Sequence, residues 1–328
     1  MQEVFPRMNT LVKLRENTFL KSSERGELMR AASADALYKS LMSTEFFCFA
    51  QPKAAEDLPA ALDVEKKGWL DWAREISPDP RVVEIFKLQD VAHNIRVFVK
   101  ERATGRDLAA LYEPSEYAKD ALTALLEDEG DKERSDFERA VKATLQDALG
   151  DFATYRSFLR TDLIVKFFYH GQLLRLTREI GDQQIEEIVT AMADLDLLSV
   201  VAQQPDMGDI TPSLLEKAQG GLIAPRLGAL LKASPAEQTE ILRATPYDKL
   251  WENLARQSSW ELFDAAADNF LMEKCRAGRL TPFGLLPLFT LLLAKLLEIR
   301  SVRLILESKR TGAEPGEIAK RVRDEYAV

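Results

Sequence analysis

The sequence has few of the residues on which most enzyme active sites depend. Among 328 residues it contains only two histidines, His93 and His170, and two cysteines, Cys48 and Cys275. This excludes a histidine-rich metal site, and two thiols so far apart in sequence are more typical of a reducing cytoplasm than of a disulfide framework. Phosphate-binding Gly-x-x-x-x-Gly-Lys, His-Glu-x-x-His and Gly-x-Ser-x-Gly motifs are all missing. We therefore predict no catalytic residue, no cofactor and no metal site.

Glycine and proline are also scarce, with 15 and 14 residues respectively. That number is too small for the dense turns of a β-sandwich or barrel. Apolar residues instead recur at three- and four-residue spacing, the pattern of amphipathic helices. We predict an all-α fold. The segments with this spacing include Leu37–Phe47, Val82–Val99, Phe137–Leu149, Phe152–Thr177, Ile185–Val201 and Trp251–Leu271.

Acidic residues outnumber basic ones by 53 to 44, and the formal net charge is −9. Nucleic-acid binding needs a basic excess, so the charge argues against such a partner. It also argues against attachment to an anionic lipid surface by charge alone. The first residues, MQEVFPRMNTLVKLREN, have no apolar run like that of a signal peptide, and we expect no secretion.

The longest uncharged run is too short to span a bilayer. Fifteen residues without charge extend from Leu280 to Ala294, whereas a membrane-spanning helix needs about 20. We expect the helix to begin near Pro287, with proline in its first turn. From Lys295 onward charged residues alternate with apolar ones, which predicts a helix that is buried at one end and amphipathic at the other. We interpret the leucines as core first and as a docking surface second.

Three segments share one pattern at nearly equal spacing. Residues 93–108 (HNIRVFVKERATGRDL) and 300–315 (RSVRLILESKRTGAEP) both contain an Arg, three apolar residues, charges and then Thr-Gly; residues 197–212 (LLSVVAQQPDMGDITP) are a weaker copy. The anchor positions 96, 199 and 303 are 103 and 104 residues apart, and a glycine follows each by nine. The anchor residues are Asn94, Arg96 and Gly105 in the first copy, Ser199 and Gly208 in the second, and Arg303 and Gly312 in the third.

Each copy has the composition of a helix end, with glycine as a left-handed cap. Equal spacing predicts a helical unit of about 100 residues that occurs three times. The boundaries fall in the polar stretches near Ser115 and near Gly220. We therefore predict three helical repeat domains over residues 1–115, 116–220 and 221–328.

The remaining chemistry-bearing residues have structural interpretations. We interpret His93 as a capping or surface residue and His170 as a helix-end or core residue, because nothing nearby in sequence supplies a nucleophile. The acidic stretch Glu127–Arg139 alternates with basic residues and predicts a solvated loop. It leads into a helix capped by Ser135, with Glu138 completing a capping box.

Both ends of the chain resemble one family. The stretches FPRMNTLVKLRENTFLKSSERGELMRAASADALYKSLMSTEF and LLAKLLEIRSVRLILESKRTGAEPGEIAKRVRDEY are similar to the C-subunit family of rotary V/A-type ATPases, whose eukaryotic relative is the d-subunit. The first repeat copy, DVAHNIRVFVKERATGRDL, matches that family in place and spacing. The middle third of the chain is a weaker match, and Leu197 and Ser199 replace the Asn and Arg of the first copy.

The resemblance implies three similar helical domains in a funnel-like, pseudo-threefold arrangement and no catalytic residues. It implies a peripheral position on the cytoplasmic face of the membrane, with the central shaft subunits and the membrane proteolipid ring as partners. It does not decide between H⁺ and Na⁺ transport, nor between ATP synthesis and hydrolysis.

Two other classes stay open at this point. One is an all-α enzyme whose site uses only carboxylates and arginines, and the other is a helical scaffold unrelated to membranes. Co-purification with membranes through partner proteins distinguishes the rotary-ATPase protein from both.

Overall fold

The computed structural model describes residues 4–128, 134–203, 210–257 and 259–326. Over these ranges the chain forms helices joined by turns and short loops, and no β-strand occurs in them. The predicted all-α fold class is confirmed. The helices are α1 Val4–Arg15, α2 Ser22–Arg30, α3 Ala34–Met42, α4 Leu58–Ile76, α5 Arg81–Thr104, α6 Lys119–Glu127, α7 Asp136–Tyr155, α8 Phe158–Ile180, α9 Gln183–Ala202, α10 Pro212–Leu215, α11 Leu227–Lys232, α12 Pro235–Leu242, α13 Asp248–Gln257, α14 Phe263–Arg279, α15 Leu286–Arg310 and α16 Pro315–Arg321.

Contacts group the chain into two compact units. The first unit comprises residues 1–83, 182–188 and 249–328, and the second comprises residues 84–181 and 189–248. The first unit thus combines both ends of the sequence. The three repeat domains with boundaries near residues 115 and 220 stay a prediction.

Helix α15 is the central element of the first unit, where it contacts α1, α3, α4, α14 and α16. It begins at Leu286 with Pro287 in its first turn, as predicted. The leucines from Leu286 to Leu293 are buried, so their interpretation as core is confirmed. The expectation that charge brings the helix to the surface at Lys295 is wrong, because this side chain is completely buried. Amphipathic character begins only at Arg300, which is exposed.

The C-terminal half of α15 packs into an apolar cluster with elements from the other end of the sequence. Every member is at least nine-tenths buried, as expected for side chains of a close-packed core. The cluster consists of Leu20, Leu28, Leu37, Leu41, Phe46, Leu58, Leu62, Ile299, Val302, Ile305, Leu306, Ile318 and Val322.

The second unit is built around α7 and α8, which pack along each other. Arg156, with φ of 55°, makes the left-handed turn between them, and Gly181, with φ of 73°, ends α8. At the start of α7, the Ser135 hydroxyl accepts a hydrogen bond from the Glu138 amide at 3.2 Å. The Glu138 carboxylate accepts one from the Ser135 amide at 2.8 Å, so the predicted capping box is confirmed. Residues 129–133 of the acidic stretch lie outside the described residues.

The helices of the four described ranges differ from membrane-spanning ones. None of them combines the length and the apolar character needed to cross a bilayer.

Candidate functional site

The turn between α14 and α15 exposes apolar side chains. In this tip, defined as residues 280–284, Leu280 and Phe283 are 83% and 67% exposed. Gly284 has φ of 87°, a conformation that favours glycine and allows the chain to reverse before α15 begins. The tip thus exposes two large apolar side chains within four residues.

Helix α1 holds this tip in place. The Asn9 side-chain amide donates to the Pro282 carbonyl at 2.8 Å, and the Lys13 ammonium donates to the Arg279 carbonyl at 2.8 Å. The Arg279 guanidinium in turn donates to the buried Glu16 carboxylate at 2.8 Å. The apolar tip is therefore a fixed projection of the first unit, flanked by the cations of Lys13 and Arg279.

The buried Lys295 connects α15 to the segments that precede α2 and α4. Its ammonium lies 2.8 Å from the Glu298 carboxylate and 3.3 Å from the carbonyl oxygens of Thr18 and Phe46. The Phe46 ring centroid is 4.2 Å from the same nitrogen, a cation–π distance. A buried charge is tolerated only when it is paired in this way. The Lys295 ammonium is therefore shielded from solvent and stabilises the packing of the first unit.

Two further buried carboxylates each hold a loop by three consecutive amides. Glu65 accepts from the amides of Cys48, Phe49 and Ala50 at 2.8–3.0 Å and from the Trp69 indole at 2.8 Å. In the second unit, Asp194 does the same for another loop. The groups that donate to Asp194 at 2.9–3.1 Å are the amides of Gly221, Leu222 and Ile223 and the hydroxyl of Tyr247.

Sequence reasoning missed both carboxylates, although a signal existed. Glu65 lies three residues after Leu62 and four before Trp69, and Asp194 lies three residues before Leu197. An acid on the apolar stripe of a helix must find buried donors, and loop amides are the most available ones. Burial, followed by the nearby Asp194 charge, raises the pKa of the Tyr247 hydroxyl above its ordinary value, so this hydroxyl stays a donor.

His170 lies in the core of the second unit, which confirms the core interpretation. Its side chain is fully buried, with Nε2 2.8 Å from the Asp196 carboxylate and Nδ1 3.1 Å from the Gln219 carbonyl. Lys166 also pairs with Asp196. Burial alone raises the pKa of Asp196, but the Lys166 charge and the bonds from His170 and Lys166 outweigh burial and lower it. The cluster ties α8 to α9 and to the loop at Gln219.

His93 is a partly exposed residue of α5, and of the two alternatives only the capping of that helix is excluded. It lies within α5, is half-buried, and its Nε2 is 2.8 Å from the Leu111 carbonyl. It therefore caps neither end of that helix.

The repeat anchors of the first copy lie in the second unit. Asn94 is completely buried and donates to the Glu113 and Tyr117 carbonyls at 2.9 and 3.1 Å, while its oxygen accepts from the Glu113 amide at 2.8 Å. Arg96 is half-buried. Gly105 follows the last residue of α5 with φ of 66°, the left-handed conformation of a glycine stop.

The other anchors are divided between the two units. In the second unit, the Ser199 hydroxyl donates to the Asp196 carbonyl at 2.8 Å within its own helix, and Gly208 lies outside the described residues. In the first unit, Arg303 donates to Asp63 at 2.5 Å and Gly312 has φ of 72°. The equivalence of the anchors as a repeat stays a prediction.

Comparisons with known proteins cover nearly the whole chain. A family model described as ATP synthase (C/AC39) subunit matches residues 8–321. The chain belongs to this family. The resemblance carried by the two ends of the sequence is thereby confirmed over nearly the whole length of the chain.

A curated relative of this C/AC39-family chain is the V-type sodium ATPase C-subunit of Enterococcus hirae. The two are 24% identical over 331 residues, which cover 97% of this chain and 98% of the relative. Among the described residues of the C/AC39-family chain, no three or more His, Cys, Asp or Glu side chains are grouped so that they could hold a metal ion. The exposed tip and the buried Lys295, Glu65 and Asp194 are the features from which a function can be proposed.

Proposed function

We propose that this chain is a non-catalytic central-stalk component of a rotary V/A-type ATPase, which joins the central shaft to the membrane proteolipid ring. The observation that carries the proposal is the family match over residues 8–321. The V-type sodium ATPase C-subunit of Enterococcus hirae supports it, with an alignment that covers almost all of both chains. The ion, H⁺ or Na⁺, is bound by the ring in this proposal, so this chain does not select it.

A subunit that passes rotation between two partners has to be stiff. It must keep its shape when one partner turns against the other. Closely packed helices joined by short loops have this property. Lys295 meets this need in the first unit, since one side chain fastens α15 to the carbonyls of Thr18 and Phe46. Glu65 and Asp194 do so for two loops.

We propose that the tip at residues 280–284 faces the proteolipid ring. It offers Leu280 and Phe283 to a partner, is held rigidly by Asn9, and lies beside the cations of Lys13 and Arg279. Such a surface suits the cytoplasmic side of a membrane protein, where apolar and headgroup-associated polar groups meet. This position makes the chain a peripheral subunit on the cytoplasmic face.

The threefold, funnel-like arrangement is part of the same proposal. In the first and third predicted copies, a buried polar side chain two residues before the anchor accepts from the amide of a later segment: Asn94 accepts from Glu113 at 2.8 Å and Ser301 from Arg323 at 3.3 Å. In the second copy Leu197 has this position, and Asp194, one turn earlier on the same helix, accepts from the Gly221 amide. A shared device of this kind supports three related helical domains.

The proposal is tested by membrane fractionation of cells that carry tip variants. The variant Leu280→Ser/Phe283→Ser removes the apolar groups of the tip, and Val64→Ser/Leu111→Ser is the matched control. The control residues are apolar too, and 51% and 55% exposed. We expect the wild-type chain and the control to sediment with membranes that contain the ring, and the tip variant to appear in the soluble fraction.

Two outcomes contradict different parts of the proposal. If the wild-type chain is soluble in cells that assemble the ring, it is not a subunit of the complex. If both double variants sediment equally well, the chain belongs to the complex but the tip is not its ring contact. Circular dichroism of the purified variants confirms that their helices are intact.

A further inference from the structure

A cleft in the first unit is lined by four arginines. Its volume is about 270 Å³, and it lies between the start of α14, the C-terminal half of α15 and the segment that follows α16. Arg300, Arg303, Arg321 and Arg323 line it, together with two acids, Asp264 and Glu307. Such a concentration of cations is unexpected in a chain with a net charge of −9.

Two of these guanidiniums are positioned by one buried carboxylate. Asp268 accepts from Arg300 Nη1 at 2.9 and 3.1 Å and from Arg323 Nε at 2.7 Å. Asp268 and Arg323 are more than nine-tenths buried, whereas Arg300 is exposed. One carboxylate cannot neutralise two guanidiniums, and each guanidinium has five N–H donors. Asp268 therefore fixes the position of both guanidiniums and leaves several of their N–H donors for a ligand, while Asp264 and Glu307 line the same cleft.

The other two arginines are available to a ligand. Over the ranges that the structure describes, no ion pair is formed by the exposed side chain of Arg321. Arg303 pairs with Asp63, but both side chains of this pair are more than two-fifths exposed. A surface ion pair of this kind is weak, so a better acceptor can replace it.

The remaining lining residues favour an acidic peptide over a bare phosphate. Leu304 and Ala265 give the cleft an apolar floor, on which the aliphatic stem of a glutamate or a neighbouring leucine can pack. A phosphate ion has no apolar part to use there.

We propose that this cleft binds an acidic segment of a partner protein through Arg300 and Arg321, with Arg303 and Arg323 supporting the charge. The inference rests on the proposed function only for the existence of partner subunits in the complex. The cleft is a second interaction surface, separate from the tip, and it selects its partner by charge.

The test measures binding of a blocked peptide of alternating glutamate and leucine to the full chain by titration calorimetry. The same peptide with glutamine for glutamate, and inorganic pyrophosphate, are the comparison ligands. We expect only the acidic peptide to bind, and its affinity to fall as salt is raised from about 0.05 M to about 0.5 M, because salt screens charge pairs.

Variants locate the site. Arg300→Gln/Arg321→Gln removes two guanidiniums from the cleft and should weaken binding by about tenfold or more, the range for charge-assisted hydrogen bonds. The control Lys320→Gln/Arg256→Gln removes the same charge from exposed positions outside the cleft and should leave the affinity unchanged. Arg321→Gln alone, at an exposed position, should give part of the loss without any effect on folding.

Three results overturn the inference: no binding of the acidic peptide, an equal loss in the control, or tighter binding of pyrophosphate than of the peptide. The last result identifies a site for small anions. None of the three bears on membrane association, which tests the rotor assignment separately, so the failure of one proposal is distinguishable from the failure of the other.

Discussion

The Lys295 ammonium and the Glu298 carboxylate lie 2.8 Å apart, one turn from each other on α15. Lys295 is completely buried, and Glu298 also accepts from the Leu20 amide at 2.7 Å. The pair joins the long C-terminal helix to the N-terminal segment, which is 278 residues away in sequence. It accounts for a charge directly after the leucine run of α15.

Replacing Lys295 by methionine should destabilise the protein. The change leaves Glu298 charged and without its cation, and losing one partner of a buried pair costs about 3–5 kcal/mol. The second change Glu298→Gln removes that charge while its oxygen can still accept from Leu20, so Lys295→Met/Glu298→Gln should recover part of the loss. Urea denaturation followed by circular dichroism measures both.

An exposed pair of the same spacing is the control for this experiment. Lys320 and Glu317 lie 2.8 Å apart, and both side chains are more than half exposed. Lys320→Met should change the free energy of unfolding by less than about 1 kcal/mol. If Lys295→Met lowers the free energy of unfolding by no more than this, the buried pair does not stabilise the first unit as its geometry indicates.

Replacing Glu65 by glutamine should release the loop at residues 48–50. The glutamine side chain has only one acceptor oxygen, and its NH₂ group faces amide donors that need an acceptor. We expect a loss of about 2 kcal/mol, the range for hydrogen bonds to a charged group. Hydrogen exchange of the Cys48, Phe49 and Ala50 amides should become faster, while the Gly221–Ile223 amides held by Asp194 should be unaffected. Unchanged exchange at residues 48–50 would rule out this role of Glu65.

Asp196 should make the stability of the second unit depend on pH. Its pKa is lowered in the folded state, because the charge of Lys166 and the bonds from His170 and Lys166 outweigh the effect of burial. A carboxyl group with a lowered pKa contributes stability above its unfolded pKa of about 3.9, and this stability is lost as the pH falls through its folded value. The stability difference between the wild type and Asp196→Asn should therefore be constant near neutral pH and shrink below about pH 4.

The matched control for the pH experiment is Asp71→Asn. Asp71 is half-exposed and pairs with Lys67, so its loss should change the free energy of unfolding by less than about 1 kcal/mol at neutral pH. Denaturation of all three proteins across the pH range gives the comparison. A difference between the wild type and Asp196→Asn that grows as the solution is acidified would contradict the assigned direction.

The left-handed stop at Gly312 gives a prediction with a close control. A Cβ atom added at either Gly312 or Gly316 meets no neighbour within 4 Å, but of the two only Gly312 has a positive φ, of 72°. Gly312→Val should therefore cost about 1–2 kcal/mol in backbone strain alone. Gly316→Val has no such strain, and its effect should be clearly smaller. Thermal unfolding measures the difference, and equal effects would show that the left-handed conformation is not required.

The features that could be predicted from the sequence are those set by neighbouring residues. Pro287 in the first turn of α15 and the box of Ser135 and Glu138 each depend on about four consecutive residues. Because helix caps satisfy their own amides locally, short patterns are enough to find them. The burial of the leucine run could be predicted for a similar reason, because the spacing of apolar residues shows which face of a helix is buried.

The features that could not be predicted depend on partners far away in the sequence. Whether the charge of Lys295 is exposed is decided by the Thr18 and Phe46 carbonyls, which no spacing rule connects to α15. Likewise, Asp268 can orient Arg300 and Arg323 only once α14, α15 and the end of the chain are packed together. The candidate cleft therefore became visible only in the folded chain.

Disrupting α15 should uncouple the motor while its catalytic head stays active. Leu292 is fully buried and Leu296 is half-buried, so Leu292→Asp/Leu296→Asp places charge in the core at a cost of several kcal/mol for the buried group. We expect complexes with this variant to hydrolyse ATP and to lose ion pumping. If the double variant folds, assembles and pumps normally, α15 is not a coupling element.

The measurement that tests the rotor assignment most directly is observation of this chain in a working complex. A bead is attached through Leu111→Cys in a Cys48→Ser background, at a position that is 55% exposed, while the remaining Cys275 is buried and unreactive. With the catalytic head fixed to a surface and ATP added, a bead on a rotor subunit should rotate continuously. A stationary bead on complexes that hydrolyse ATP and pump ions would contradict it.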